Sequence, residues 1–96
     1  MNLNLRIAFD SEIRSQINIS NPPHIPDFGD IVGLKPEDFL TDIEDINKAI
    51  AYAENCIWYV GLKTITYEKD MVEILIVLEE EEHFKVNYPN YWARYK

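Results

Sequence analysis

The segment Val72–Leu78 (VEILIVL) is apolar on both of the faces that a β-strand presents, and this feature constrains the fold more than any other stretch. One face carries Val72, Ile74, Ile76 and Leu78. Leu75 and Val77 occupy the opposite face, so the polar side expected of a half-buried strand is missing. A strand of this composition is usually covered on both sides. We therefore predict that it lies in the middle of a sheet.

A second β-rich stretch, Cys56–Tyr67, precedes this segment and is separated from it by Glu68-Lys69-Asp70. Three polar residues between two β-prone runs indicate an antiparallel hairpin with a tight loop. Residues 3–9 (LNLRIAF) have apolar side chains at most alternate positions. This period of two predicts a further strand with one buried face.

The region between these strands contains fewer regular patterns. Gln16–Ser20 is either a second strand or an extended piece that follows a short helix. Residues 21–30 (NPPHIPDFGD) include three prolines and a glycine, which predict an ordered loop. Residues 30–34 (DIVGL) predict a short strand that Lys35-Pro36 ends.

Residues 42–55 have the pattern of an amphipathic helix. Thr41 is the predicted N-cap and Glu44 its reciprocal partner, and the helix dipole favours the acidic side chains of the first turn. Four apolar residues share one stripe of this helix, namely Ile43, Ile46, Ile50 and Ala53. We expect this stripe to cover one face of the sheet.

Together these elements predict an α+β fold, in which a small antiparallel sheet of four or five strands carries one packed helix. The phrase PDFGDIVGL (residues 26–34) is similar to the P-x-x-G-D-x-V pattern with which the first long strand of many SH3-like barrels begins. That resemblance implies a sheet curled towards an SH3-like partial barrel. We expect residues 1–96 to form a single domain, whose aromatic tail (residues 83–96) packs back on the sheet or makes contacts.

Seventeen acidic and nine basic residues give the chain a formal charge of −8. Because this charge repels phosphate backbones and anionic lipid, we expect no direct nucleic-acid binding and no membrane binding. A basic protein or peptide is the class of partner that the charge favours. No long apolar core occurs near the first residue and no run is long enough to span a membrane, so we expect a cytoplasmic location.

The four consecutive glutamates Glu79–Glu82 have two interpretations, a cation site or the point where a strand leaves the core. A calcium or magnesium site takes oxygen ligands that converge from several directions, usually from a loop with glycine. These residues are consecutive and lack a neighbouring glycine. We therefore predict no metal ion and no cofactor, and we interpret the run as a charged strand end that discourages pairing with other chains.

The sequence contains no recognisable catalytic constellation. Cys56, His24 and His83 are not spaced like a nucleophile with its base, so we expect that the protein is not an enzyme. Cys56 is the only cysteine, which excludes an intrachain disulfide and fits a reducing compartment. Abundant isoleucine and asparagine favour a bacterial or phage source.

The candidate contact surface is the acidic segment from residue 27 to residue 45, with the aromatic tail as a second surface. The candidate residues are Asp27, Asp30, Glu37, Asp38, Asp42 and Asp45 in the segment, and Tyr91 and Trp92 in the tail. Our hypothesis is a non-catalytic protein-interaction or regulatory module that is a monomer or a homodimer. The alternative hypothesis is an acidic inhibitor that mimics nucleic acid, of the kind that phages and mobile elements encode.

Overall fold

A curled sheet organises the computed structural model, which describes residues 2–10, 12–53 and 55–95. Its five strands are β1 (Asn2–Phe9), β2 (Ile17–Ser20), β3 (Ile31–Gly33), β4 (Ile57–Tyr67) and β5 (Met71–Glu79). They are ordered β2-β1-β5-β4-β3 and form a half-barrel. Four residues that the predicted domain or helix included lie outside the described residues, namely Met1, Ser11, Glu54 and Lys96.

The predicted central strand and hairpin are confirmed. β5 occupies the middle of the sheet, between β1 and β4. β4 and β5 are antiparallel, with Tyr67 opposite Val72, and the Glu68 amide donates a hydrogen bond to the Met71 carbonyl at 2.8 Å. The segment at residues 16–20, which had two interpretations, contains a strand that pairs with β1.

The prediction of a wholly antiparallel sheet is wrong, because β1 and β5 are parallel. Their register places Leu5 beside Ile74 and Phe9 beside Leu78. Both strands already use one edge for a hairpin partner, β2 or β4, so their remaining edges face each other. The long connection between them contains helices and imposes no tight turn, so a parallel arrangement is available.

The prediction of one helix is also wrong. The described residues contain four helices, α1 (Pro36–Phe39), α2 (Ile43–Tyr52), α3 (Glu81–Asn87) and α4 (Pro89–Tyr95). Prolines occupy the first position of α1 and of α4, where a missing amide hydrogen costs nothing. None of the helices in the described residues is long and apolar enough to cross a membrane.

The helix at residues 43–52 is shorter than predicted, and only part of the predicted apolar stripe faces the core, since Ala53 lies in the core and Ile46 packs against it. Asp42, rather than Thr41, is its N-cap, and its side chain accepts a hydrogen bond from the Asp45 amide at 3.1 Å. Ala49 is fully buried, whereas Ile43 is 73% exposed and Ile50 is also exposed. Asp45 and Ala49 share the buried side of the helix, and the Asp45 carboxylate accepts hydrogen bonds from Ser15, which is distant in the chain.

The two faces of the sheet are covered by different helices. On one face, the Tyr52 ring of α2 stacks on the fully buried Trp58 with centroids 5.8 Å apart. Neighbouring strand residues point to opposite faces. Tyr59 therefore lies on the other face, where the buried Phe84 of α3 stacks on it at 5.2 Å. Both sides of the sheet are thus covered near the start of β4.

Candidate functional site

The predicted acidic candidates fall into three groups, and those of two groups have partners within the chain. In the loop before β3, Asp27 forms an ion pair with Lys63, and the Asp30 carboxylate accepts a hydrogen bond from the Asp27 amide at 2.8 Å. The hydrogen bond and the charge of Lys63 lower the pKa of Asp27 below its ordinary value. These two carboxylates therefore shape the turn that leads into β3.

The second group lies at the start of α2. Asp42 caps the helix, and Asp45 is only 8% exposed. The Asp45 carboxylate accepts hydrogen bonds from the Ser15 hydroxyl and from the Ser15 amide, the latter at 3.0 Å. The Ser15 hydroxyl holds the pKa of Asp45 below its ordinary value, with a smaller contribution from the amide. Asp45 is consequently a structural residue that ties the segment before β2 to α2.

The remaining candidates, Glu37 and Asp38, are exposed in the first turn of α1. A cleft of about 710 Å³ lies at the start of α2, and its lining carries both signs of charge. The lining residues are Glu12, Arg14, Asp42, Glu44, Asp45 and Lys48. Arg14 and Lys48 offset part of the negative charge of this cleft, whereas the sequence around Glu37 and Asp38 contains no basic residue between Lys35 and Lys48.

The structure joins the Asp27–Asp30 loop to the aromatic tail, which the sequence presented as separate surfaces. The Phe28 and Tyr91 rings meet edge to face with centroids 4.9 Å apart. Gly29 has a φ of +84° and lies against the Tyr91 phenol, so a side chain there would be strained and would clash. Trp92 packs on Tyr59 at 5.6 Å. Tyr91 and Trp92 are therefore partly committed to packing.

Sequence reasoning missed a pair of carboxyl groups at the carboxyl ends of the parallel strands β1 and β5. Glu79 ends β5 and is 2% exposed, and Asp10 follows β1, with its amide bonded to the Leu78 carbonyl at 2.9 Å. The Asn87 side-chain amide donates to Glu79 and, at 3.3 Å, to Asp10. Burial raises the pKa of Glu79, the Asn87 hydrogen bond opposes that change, and the nearby Asp10 carboxylate reinforces it.

Gly61 leaves room for the Glu79 side chain, and Tyr52 covers the ends of the two strands. An ideal Cβ at Gly61 would collide with the Glu79 carboxylate, so the missing side chain at the β4 bulge leaves the space that Glu79 occupies. Tyr52 encloses the strand ends by donating a hydrogen bond from its hydroxyl to the Asp10 carbonyl at 2.9 Å. Burial raises the pKa of the Tyr52 phenol, so this group remains a donor. The Tyr52 ring also meets His83 edge to face at 4.9 Å.

The glutamate run is a junction between a strand and a helix. β5 ends at Glu79, and the Glu80 side chain accepts hydrogen bonds from the amides of Glu82 and His83 at 3.0 and 2.7 Å. β5 thus ends within the run, as interpreted from the sequence, but Glu79 is buried and the residues that follow it begin α3. A sequence signal for this outcome existed, since an acidic cap with further acids in the first turn is typical of a helix start.

Glu79 has almost no access to solvent, whereas Asp10 is half-buried, and burial favours the protonated form of Glu79. Among residues 2–10, 12–53 and 55–95, no group of three or more His, Cys, Asp or Glu side chains is arranged to hold a metal ion. Comparison with protein-family models, characterised proteins and solved structures found no match for this chain. Its functional interpretation therefore depends on its own residues.

Proposed function

We propose that this chain is a non-catalytic, cytoplasmic protein-interaction module that binds a basic protein or peptide. One observation carries the proposal. Seven of the eight residues at positions 37–44 are exposed, Leu40 being the buried exception, and this stretch, named here the α1–α2 surface, contains four acidic residues and no basic one. Phe39 is 51% exposed and Ile43 is 73% exposed within it.

Exposed apolar side chains surrounded by charges of one sign are characteristic of a contact surface rather than of a merely soluble face. The exposure of Phe39 and Ile43 leaves apolar area in water at a cost. The carboxylates around them would attract a basic partner and set its orientation. A segment with both basic and apolar side chains complements this surface.

The test measures binding of the intact chain to an array of random twelve-residue peptides. We expect the retained peptides to be rich in arginine and lysine and to contain apolar residues. Reversing the charges of Glu37 and Asp38 together should weaken the binding of these peptides at least tenfold. The loss can be assigned to the surface itself, because neither side chain has a structural role in the described residues. Reversing Asp42 or Asp45 would be uninformative, since these residues cap and anchor α2.

The matched control reverses Glu68 and Asp70 in the loop between β4 and β5, which changes the net charge by the same amount at another exposed place. This control should reduce binding much less. Equal losses in both double variants would show that only overall charge matters, and retention of no basic peptide by the unaltered chain would overturn the proposal. Replacing Ile43 with serine should also weaken binding while the fold remains intact.

The geometry supports the alternative, an acidic inhibitor that mimics nucleic acid, less well. Such an inhibitor presents a row of free carboxylates at phosphate-like spacing, whereas four of the six acidic candidates are engaged as caps, anchors or ion pairs. A mimic should compete with DNA for a DNA-binding target, and competition by this chain would favour that function.

The SH3-like identity of the barrel is likewise a proposal. The half-barrel curl supports it, and so does the Gly29 turn, from which Asp30 leads directly into β3.

A further inference from the structure

The second half of β4 is an open edge of the sheet. β3 pairs with β4 only at residues 57–59, and the loop before β3 adds hydrogen bonds with Val60, made by the Gly29 amide and the Asp30 carbonyl. Beyond the bulge at Gly61, the described residues provide no backbone partner on this side of β4. Residues 62–67 therefore end the sheet with unpaired backbone groups.

The hairpin geometry identifies which backbone groups point outward. The Glu68 amide bonds to the Met71 carbonyl, so this pair is hydrogen-bonded. Hydrogen-bonded and non-hydrogen-bonded pairs alternate along an antiparallel ladder. Leu62, Thr64 and Thr66 consequently bond towards β5, and the amides and carbonyls of Lys63, Ile65 and Tyr67 point away from it.

The side chains along this edge are suited to pairing. Ile65 is 47% exposed and Tyr67 is 78% exposed, and the stretch LKTITY contains β-branched and aromatic residues without proline or glycine. Natural edge strands usually carry charges that prevent pairing. The one charge here, that of Lys63, is offset by its ion pair with Asp27.

We propose that this edge pairs with the same edge of a second copy of the chain, antiparallel and centred on Ile65. In that register Ile65 of each copy faces Ile65 of the other, and their outward amides and carbonyls bond to each other. Thr64 then faces Thr66, and Lys63 faces Tyr67. Threonine pairs and apolar pairs are favourable neighbours across strands.

A second copy fits this edge better than an unrelated strand because the register is self-complementary in both backbone and side chains. Six residues bury less area than a standard interface of about 1,600 Å², so the association should be weak. The charge of −8 on each copy opposes it, and salt should therefore strengthen it. This inference is independent of the proposed function, because no residue of the α1–α2 surface takes part.

The experiment measures the mass of the intact chain by sedimentation velocity from about 10 μM to 1 mM, a range chosen for a small interface. We expect a concentration-dependent dimer whose fraction rises with added sodium chloride. Ile65→Lys should abolish the dimer, because two ammonium groups would face each other. The matched control Ile65→Val should retain it, and circular dichroism verifies that both variants fold.

Amide hydrogen exchange supplies a second measurement that does not depend on any variant. The Thr64 and Thr66 amides bond within the hairpin and should be protected at every concentration. The Ile65 amide should become protected only as the dimer forms. A monomer at all concentrations and salts, or a dimer that Ile65→Lys leaves unchanged, would overturn the proposal, as would protection of Ile65 by a basic peptide in a chain that stays monomeric.

Discussion

Asp45 and Glu79 are both buried carboxyl groups, yet their pKa values are shifted in opposite directions. Asp45 accepts a hydroxyl and a backbone amide from Ser15, and these donors outweigh the cost of burial. Glu79 receives a single side-chain amide, from Asn87, and faces the carboxylate of Asp10. The comparison shows that burial alone does not determine the charge of an interior acid, since the balance of donors against like charges decides it.

The largest expected effect is that of Gly61→Ala, which removes the space that the Glu79 carboxylate occupies. Because Glu79 is enclosed and has little freedom to move, we expect the free energy of unfolding in urea to fall by about 1–3 kcal/mol. Gly33→Ala is the matched control, since a Cβ there has no neighbour within 4 Å. In a Glu79→Ala background the added penalty of Gly61→Ala should largely disappear, and persistence of the full penalty would show that another contact causes it.

The next effect is that of Ser15→Ala, which removes the hydroxyl donor of Asp45. The carboxylate would retain the Ser15 amide, so we expect partial destabilisation, seen as a fall of roughly 5 °C in Tm. The pKa of Asp45 should rise towards its ordinary value. Ser20→Ala, at an exposed strand end, should change neither quantity. An unchanged Tm for Ser15→Ala would remove Ser15 from the explanation of the Asp45 shift.

A smaller effect should appear in the pH dependence of Glu79→Gln. The raised pKa of Glu79 means that its protonated form stabilises the fold fully below the ordinary value of 4.5, and that this contribution is lost as the pH rises through the folded-state pKa. Glutamine imitates the protonated acid. We expect the variant to match the parent near pH 4 and to be more stable by a few degrees in Tm at pH 7.

Asp45→Asn should show the opposite dependence on pH. The lowered pKa of Asp45 means that its ionised form stabilises the fold above the ordinary value of 3.8, and that this contribution is lost as the pH falls through the folded-state pKa. The asparagine variant should therefore lose stability at pH 7 and approach the parent in strong acid. Thermal unfolding curves of both variants between about pH 2 and pH 8, a range that includes both ordinary pKa values, measure how the stability of each variant relative to the parent changes with pH. Changes of the same sign in the two variants would contradict the comparison.

The smallest effect is expected for Asp10→Asn. Removing the like charge beside Glu79 should lower the pKa of Glu79 towards its ordinary value, without abolishing the shift that burial causes. Measurement of the Glu79 carboxyl carbon by NMR through a pH titration detects the change. A Glu79 pKa that stays where it was would show that burial alone accounts for the shift.

The features that could be predicted from the sequence depend on short repeating patterns. The period-two alternation around Leu5 and the apolar run around Ile74 identified two strands, and Glu68-Lys69-Asp70 identified the hairpin that joins β4 and β5. Patterns of this kind depend only on residues that are close together in the sequence, and they located the central strand correctly. It also located the helix at residues 43–52 to within a few residues.

The features that could not be predicted depend on residues distant in the chain. Glu79 follows an apolar run and so looks like a side chain that meets water, but Gly61 on the adjacent strand and Asn87 in α3 keep it buried. Asp45 looked like a first-turn acid that faces solvent, and Ser15 draws it inward. In each case the partner lies outside the window in which a periodic pattern is visible.

The position of β1 beside β5 has a consequence for how the chain is made. During synthesis residues 2–20 leave the ribosome long before residues 71–79, so the apolar row of Leu5 and Ile7 lacks its neighbouring strand until β5 emerges. Pairing between segments that are distant in the sequence slows folding and prolongs the time during which apolar surface is exposed to solvent. We therefore expect the nascent chain to be most prone to aggregation just before β5 emerges.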